Sequence, residues 1–280
     1  MLFMLTSCTK NNKQTSLEQK INSEISYLDN KLVFIANKLN NIDYDKYKVD
    51  IQEIQSNSSN KEDEKSGEGD EKQGSGEKNN QENEKEQGQD STKIYTMKPN
   101  SILGNEEQID WDDLKNEAEN LYSTWTTILI DLKEIGVSNE QLNVFSSNLD
   151  MVAISIKNQD KNAAIDNLIK LYESLPEFSK NNNAEKESKI LICKYKLLIC
   201  YKFANTGDEE QFKKSVEDLK MSFSNVQNMK NEYEGKQHNI KSASVIIDEI
   251  ASSVDVLNNK DIFFVKYKNL MQELNIIVSF

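Results

Sequence analysis

The stretch that decides the fold reads AEKESKILICKYKLLICYKFA, residues 184–204. Ile190, Leu191, Ile192, Leu197, Leu198, Ile199, Tyr201 and Phe203 leave it apolar on most sides. A helix of that kind has to be buried, so it is the candidate for a central element. Beyond residue 105 the chain keeps only Gly136, Gly207 and Gly235 of its nine glycines. Sheets and tight hairpins need such punctuators, and their scarcity favours helix.

Working outward, apolar residues recur at helical spacing on both sides of this segment. Asp110 is a candidate N-cap for a helix to about Ile135, with Leu114, Ala118, Leu121, Trp125, Ile128, Leu129 and Leu132 on one face and Gly136 at its end. Ser138 and Gln141 have capping-box spacing and open a helix carrying Leu142, Phe145, Leu149, Val152 and Ile156. Asp160 caps a third, with Ala164, Leu168, Leu171 and Leu175, which Pro176 is expected to stop. Asp208 caps another, with Phe212, Val216, Leu219 and Phe223, and two more cover about 238–257 and 261–276. The expected fold class is all-α, a helical bundle of about six to seven helices over 108–280. Leu149, Ala153 and Ile156 are echoed by Ile250, Val254 and Leu257 about 101 residues later. Two three-helix units around 184–204 would explain the echo, as would the chance alignment of two amphipathic helices.

Before the bundle, residues 16–55 read as an amphipathic, coiled-coil-like helix. Leu17, Ile21, Ile25, Leu28, Leu32, Ile35, Leu39 and Ile42 follow each other at spacings close to a heptad. A lone helix cannot bury such a stripe. It should pair with itself, with a protein partner through 16–54, or with the downstream domain, and the pattern breaks around Asn40-Asn41. Residues 56–107 read as a disordered acidic linker. The stretch 56–93 holds no aliphatic or aromatic side chain, and its eleven acids outnumber six lysines. Nothing there could offset the entropy of ordering.

The net charge is −13, the mean hydropathy is −0.72, and every one of the 34 basic residues is lysine. Nucleic acid is not an expected partner, because a polyanion needs a positive field and usually arginine forks. An anionic membrane surface would repel the chain as well, so membrane attachment is expected to be covalent.

A covalent anchor has a candidate. Leu5-Thr6-Ser7-Cys8, followed by polar Thr9-Lys10-Asn11-Asn12-Lys13, resembles the bacterial lipobox. In that family the cysteine carries the lipid, so the resemblance implies acylation (a palmitate-type modification) at Cys8. It also implies a cell-membrane, extracytoplasmic address. A full signal peptide has a positive start and an apolar run of 7–15 residues, whereas only seven residues precede Cys8 and none is charged. Residues 1–15 are therefore read as a truncated signal and tether, with a start codon placed too late.

Residues 109–178 resemble uncharacterised helical lipoproteins of low-GC Gram-positive, clostridia-like bacteria. The carrying residues are Leu121-Tyr122-x-x-Trp125, Phe145-x-x-x-Leu149, Asn167-Leu168, Leu171-Tyr172 and Leu175-Pro176-x-Phe178. The resemblance implies an extracytoplasmic helical bundle and supplies no activity.

Catalytic and metal chemistry is not expected. His238 is the single histidine, in a polar stretch, which leaves no multi-His site. No glycine-rich phosphate loop occurs, and no cofactor is expected. Cys193 and Cys200 sit seven apart on one helix, about 10 Å along its axis, beyond disulfide reach, and read as core thiols. Asp112-Asp113 and Glu209-Glu210 fall in first helical turns, where they favour the dipole. Trp111, Tyr122 and Trp125 could form an aromatic shelf, although core packing is the preferred reading. The function expected is a membrane-anchored lipoprotein with a non-enzymatic helical interaction or scaffold domain. The alternatives are a ligand- or cation-binding lipoprotein of a transporter and a cytosolic coiled-coil protein.

Overall fold

The computed structural model describes residues 7–42, 102, 108–252 and 259–278, with side chains from Ser16 onward in the first of these. Nine α-helices and one 3-10 turn make up the described residues, which contain no strand. The helices are α1 (Ser7–Lys38), α2 (Trp111–Glu134), α3 (Asn139–Lys157), α4 (Lys161–Tyr172), α5 (Leu175–Asn181), α6 (Glu185–Thr206), α7 (Glu209–Asn228), α8 (Gln237–Ser252) and α9 (Lys260–Val278). None is long and apolar enough to cross a membrane among the described residues.

The caps read from the sequence form. The carboxylates of Asp110, Asp160 and Asp208 accept from the backbone N–H three residues on, at 2.9, 3.0 and 3.1 Å. Ser138 and Gln141 close a reciprocal capping box. Gly207 ends α6 at φ +74°, a left-handed cap that favours glycine. Pro176 behaves differently from expectation. The chain breaks earlier, at Glu173-Ser174, and Pro176 falls in the first turn of α5, where its missing N–H is not needed. Proline starts a helix here rather than stopping one, so α2–α9 number eight where six to seven were expected.

Helix α6 is central, packing against α4, α5, α7 and α9. Ile190, Leu191, Leu197, Cys200 and Tyr201 on it are fully buried. Neighbours in sequence pack in pairs, α2 on α3, α3 on α4, α7 on α8 and α8 on α9. Of the second half of the 101-residue echo, Ile250 is buried on α8, and Val254 and Leu257 lie outside the described residues.

The stripe of α1 goes into this same core. Ile21, Ile25, Leu28, Leu32, Ile35, Leu39 and Ile42 are each at most 3% exposed, and α1 packs on α2, α4 and α5. Of the three pairings the heptad allows, the downstream domain takes it. Residues 16–42 and 108–280, separate segments by sequence, form one compact unit. Helices α1 and α2 are therefore packed neighbours within one unit, although residues 43–107 separate them in sequence. The continuation at 43–54 and the acidic linker at 56–107 (Ile102 excepted) lie outside the described residues.

Candidate functional site

The seam between α1 and the bundle is polar at its centre. Asp29, four residues after Ile25 and three before Leu32, points inward with the apolar stripe and is 1% exposed. Its Oδ1 accepts from the Tyr172 hydroxyl of α4 at 2.5 Å. Its Oδ2 accepts from Nζ of Lys194 on α6, which is 0% exposed. Burial pushes the Lys194 ammonium down while Asp29 pulls it back up. Burial and the same carboxylate hold the Tyr172 phenol well above its ordinary range. No solvent reaches this trio, so it positions helices and cannot meet a substrate.

Around the seam the pairs run antiparallel. Lys20, Lys31 and Lys38 of α1 meet Asp131 (2.6 Å), Glu117 (2.5 Å) and Asp113 of α2. Beside the first pair, burial and a hydrogen bond with Asp131 raise Glu24 to about 7. The Asn182 amide, past α5, donates to the Glu18 carbonyl and Asn22 Oδ1 at 2.9 and 2.8 Å. Partly exposed ion pairs are each worth about 0–1 kcal/mol, whereas burying one large aliphatic side chain contributes about 1.5–3 kcal/mol. Apolar burial therefore holds α1, and the charges set its register and direction.

The seam ends at a cavity of about 560 Å³. Leu39, Ile102, Ile109, Trp111 and Phe264 give it apolar wall, and Asn40, Asn41, Gln108, Gln159, Lys161, Lys260 and Asp261 give it polar wall. Lys161 donates to Asn40 Oδ1 at 2.5 Å. The Asn40 amide donates to the Tyr201 hydroxyl, and that hydroxyl donates to the Ala36 carbonyl of α1. A chain of hydrogen bonds thus links the cavity wall to the core. Burial, then the charge of Lys260, pushes the Lys161 ammonium down to about 8. Asn41 and Gln159 on the wall have φ +53° and +57°, left-handed conformations uncommon outside glycine.

Of the cysteines, aromatic residues, acid pairs and histidine weighed in the sequence for chemistry, Trp111 alone lines the cavity among the described residues. Cys193 and Cys200 are free, buried core thiols, both pushed up to about 12 by burial. The aromatic shelf does not assemble. Trp125 packs on Phe145 at 4.0 Å between centroids and donates to Ser146 Oγ, Tyr122 donates to Asp150, and Trp111 stands on the cavity wall. Asp113 bonds Lys38 beyond any dipole effect, while Asp112 pairs with Lys115 and Glu209 with Lys213. His238 is exposed at the start of α8. Among the described residues no group of three His, Cys, Asp or Glu side chains is placed to hold a metal. The backbone of Cys8 lies in the first turn of α1, and its side chain is outside the described residues.

Sequence reasoning passed over Asp29, Lys194 and the cavity. A signal existed for the first two. Lys194 stands four after Ile190 and three before Leu197, inside an apolar arc, just as Asp29 does on α1. The cavity joins four distant segments, and no spacing announces it. Comparison with protein-family models, curated proteins and solved structures finds no match for the chain.

Proposed function

We propose that the chain is a lipid-anchored, extracytoplasmic module whose helical domain binds a protein partner and performs no chemistry. The observation that carries this reading is an apolar row on the outer face of α3. Val144, Met151 and Ile154 are 50, 45 and 49% exposed at spacings of seven and three, which set them along one side of the helix. Single exposed aliphatics are ordinary, but a row on one face suits an interface. The apolar face of α1 is already inside the core, so the partner surface belongs to α3 rather than to residues 16–42.

In this reading acylated Cys8 ties the bundle to the membrane through α1 itself. Cys8 and Ile21, the first fully buried residue of α1 among the described side chains, are thirteen positions apart, about 20 Å of helix. Metabolic palmitate labelling of the wild type and Cys8→Ala tests the anchor, and equal labelling refutes it. For the interface, a photo-crosslinking residue at position 151 should trap a discrete partner in host membranes, and adding Ile154→Lys should abolish the adduct. An unchanged pattern in Ile154→Lys counts against the α3 surface.

A ligand-binding lipoprotein is the second reading, favoured by the cavity beside Lys161. A cytosolic coiled-coil protein would need an exposed seam, and the described part of the heptad faces its own bundle.

A further inference from the structure

The cavity at the end of the α1 seam brings two lysines and two aromatic rings to one wall of an acidic molecule. Lys161 and Lys260 both stand on its wall against one carboxylate there, Asp261. Lys161 is largely withdrawn from water, and the side chain that accepts from it is the neutral amide of Asn40. The two lysines are close enough for Lys260 to act on Lys161 through space. Like charges held together at a half-enclosed polar and apolar surface cost free energy that a bound anion would recover. Each lysine is also the first residue of its helix, α4 and α9, and Trp111 is the first of α2. Three helices therefore begin at the same cavity, and the Asp110 and Asp160 carboxylates already cap two of them, α2 and α4, which leaves the lysine side chains as the positive groups of the site. Trp111 and Phe264 supply flat apolar surface beside the cations.

We propose that this cavity binds a small soluble oxyanion, a carboxylate or phosphate carried on a compact apolar body, with Lys161 and Lys260 holding the charge and Trp111 and Phe264 flanking the body. Through Lys161, Asn40 and Tyr201 the bound anion would also tighten the end of α1 on the bundle. The inference does not depend on a partner at α3 or on acylation.

The test uses the full chain and the fluorescence of Trp111, with iodide as an anionic probe and acrylamide as a neutral one. A net charge of −13 should repel iodide everywhere else. The expected result is saturable iodide quenching that inorganic phosphate or benzoate displaces. It should disappear in Trp111→Phe, which retains only buried Trp125, and fall roughly fivefold in Lys161→Gln/Lys260→Gln. Helical circular dichroism identifies any variant that fails to fold, and for such a variant Lys260→Gln alone is read, since that side chain is exposed. Linear iodide quenching, weaker than that by acrylamide and insensitive to phosphate and benzoate, overturns the proposal. Displacement by phosphatidylglycerol vesicles but by neither soluble anion also overturns it.

Discussion

Asp29 and Lys194, 165 residues apart, form an ion pair sealed in the centre of the molecule, one on α1 and the other on α6. Tyr172 occupies the second carboxylate oxygen. A buried pair gains little over a well-packed apolar pair, but losing one partner leaves an uncompensated charge. Its value lies in specificity, because only one depth of insertion of α1 brings Asp29 to Lys194.

This predicts a definite pattern of stabilities. Asp29→Asn and Lys194→Met should each lose about 3–5 kcal/mol in urea unfolding. Asp29→Leu/Lys194→Met should be more stable than either single variant. A double variant that loses the sum of the two single effects would show that the pair does not act as a unit.

Asn37 offers the opposite test. It is 1% exposed, and neither the nitrogen nor the oxygen of its side-chain amide has a hydrogen-bond partner among the described residues. Leaving such a group buried costs about 1–3 kcal/mol. Asn37→Leu should therefore raise the urea midpoint, and a lowered midpoint would mean that the amide has a partner.

Stability should also respond to pH through Glu24. Burial and the bond with Asp131 raise its carboxyl from 4.5 to about 7. Between those values the folded chain holds a proton that the unfolded chain has released. That contribution is fully present below about pH 4.5 and is lost as pH rises through 7. Solvent screening keeps it to about 1 kcal/mol. Asp131 runs the other way. Burial raises it, but Lys20 and Glu24 prevail and hold it low, so its contribution is lost only in acid. Glu24→Gln should flatten the decline in melting temperature between pH 5 and 8, and an unchanged slope would contradict the assignment.

Thiol chemistry checks the core. In Cys8→Ala, Cys193 and Cys200 should stay unreactive to a disulfide reagent at pH 8 until the chain is denatured. With thiols pushed to about 12, the thiolate fraction at that pH is on the order of one in ten thousand. Rapid native reaction of either would show that the core is open.

Much of the fold was legible because helix caps and apolar periods are local. Ser138 with Gln141, the aspartate caps and Gly136 announce themselves within four residues. Pro176 misled because proline is tolerated in the first turn of a helix as well as beyond its end, and its neighbours alone do not decide which. The placement of α1 stayed open for a different reason. A heptad states what a helix needs to bury and not which surface will bury it. The answer lies in lysines 20, 31 and 38 facing acids 131, 117 and 113, which are paired only once the chain has folded back. The cavity was illegible for the same reason, since Asn40, Trp111, Lys161 and Lys260 meet only in three dimensions.

The central claim is that α1 belongs to the core of its own bundle. Zero-length carbodiimide coupling, which joins an amine to a carboxylate in direct contact, tests it on a mixture of unlabelled and 15N-labelled chains read by mass spectrometry. The account predicts isopeptide links Lys20–Asp131, Lys31–Glu117 and Lys38–Asp113, each within a single isotopic species. The absence of α1–α2 links, or links that join labelled to unlabelled chains, would contradict it.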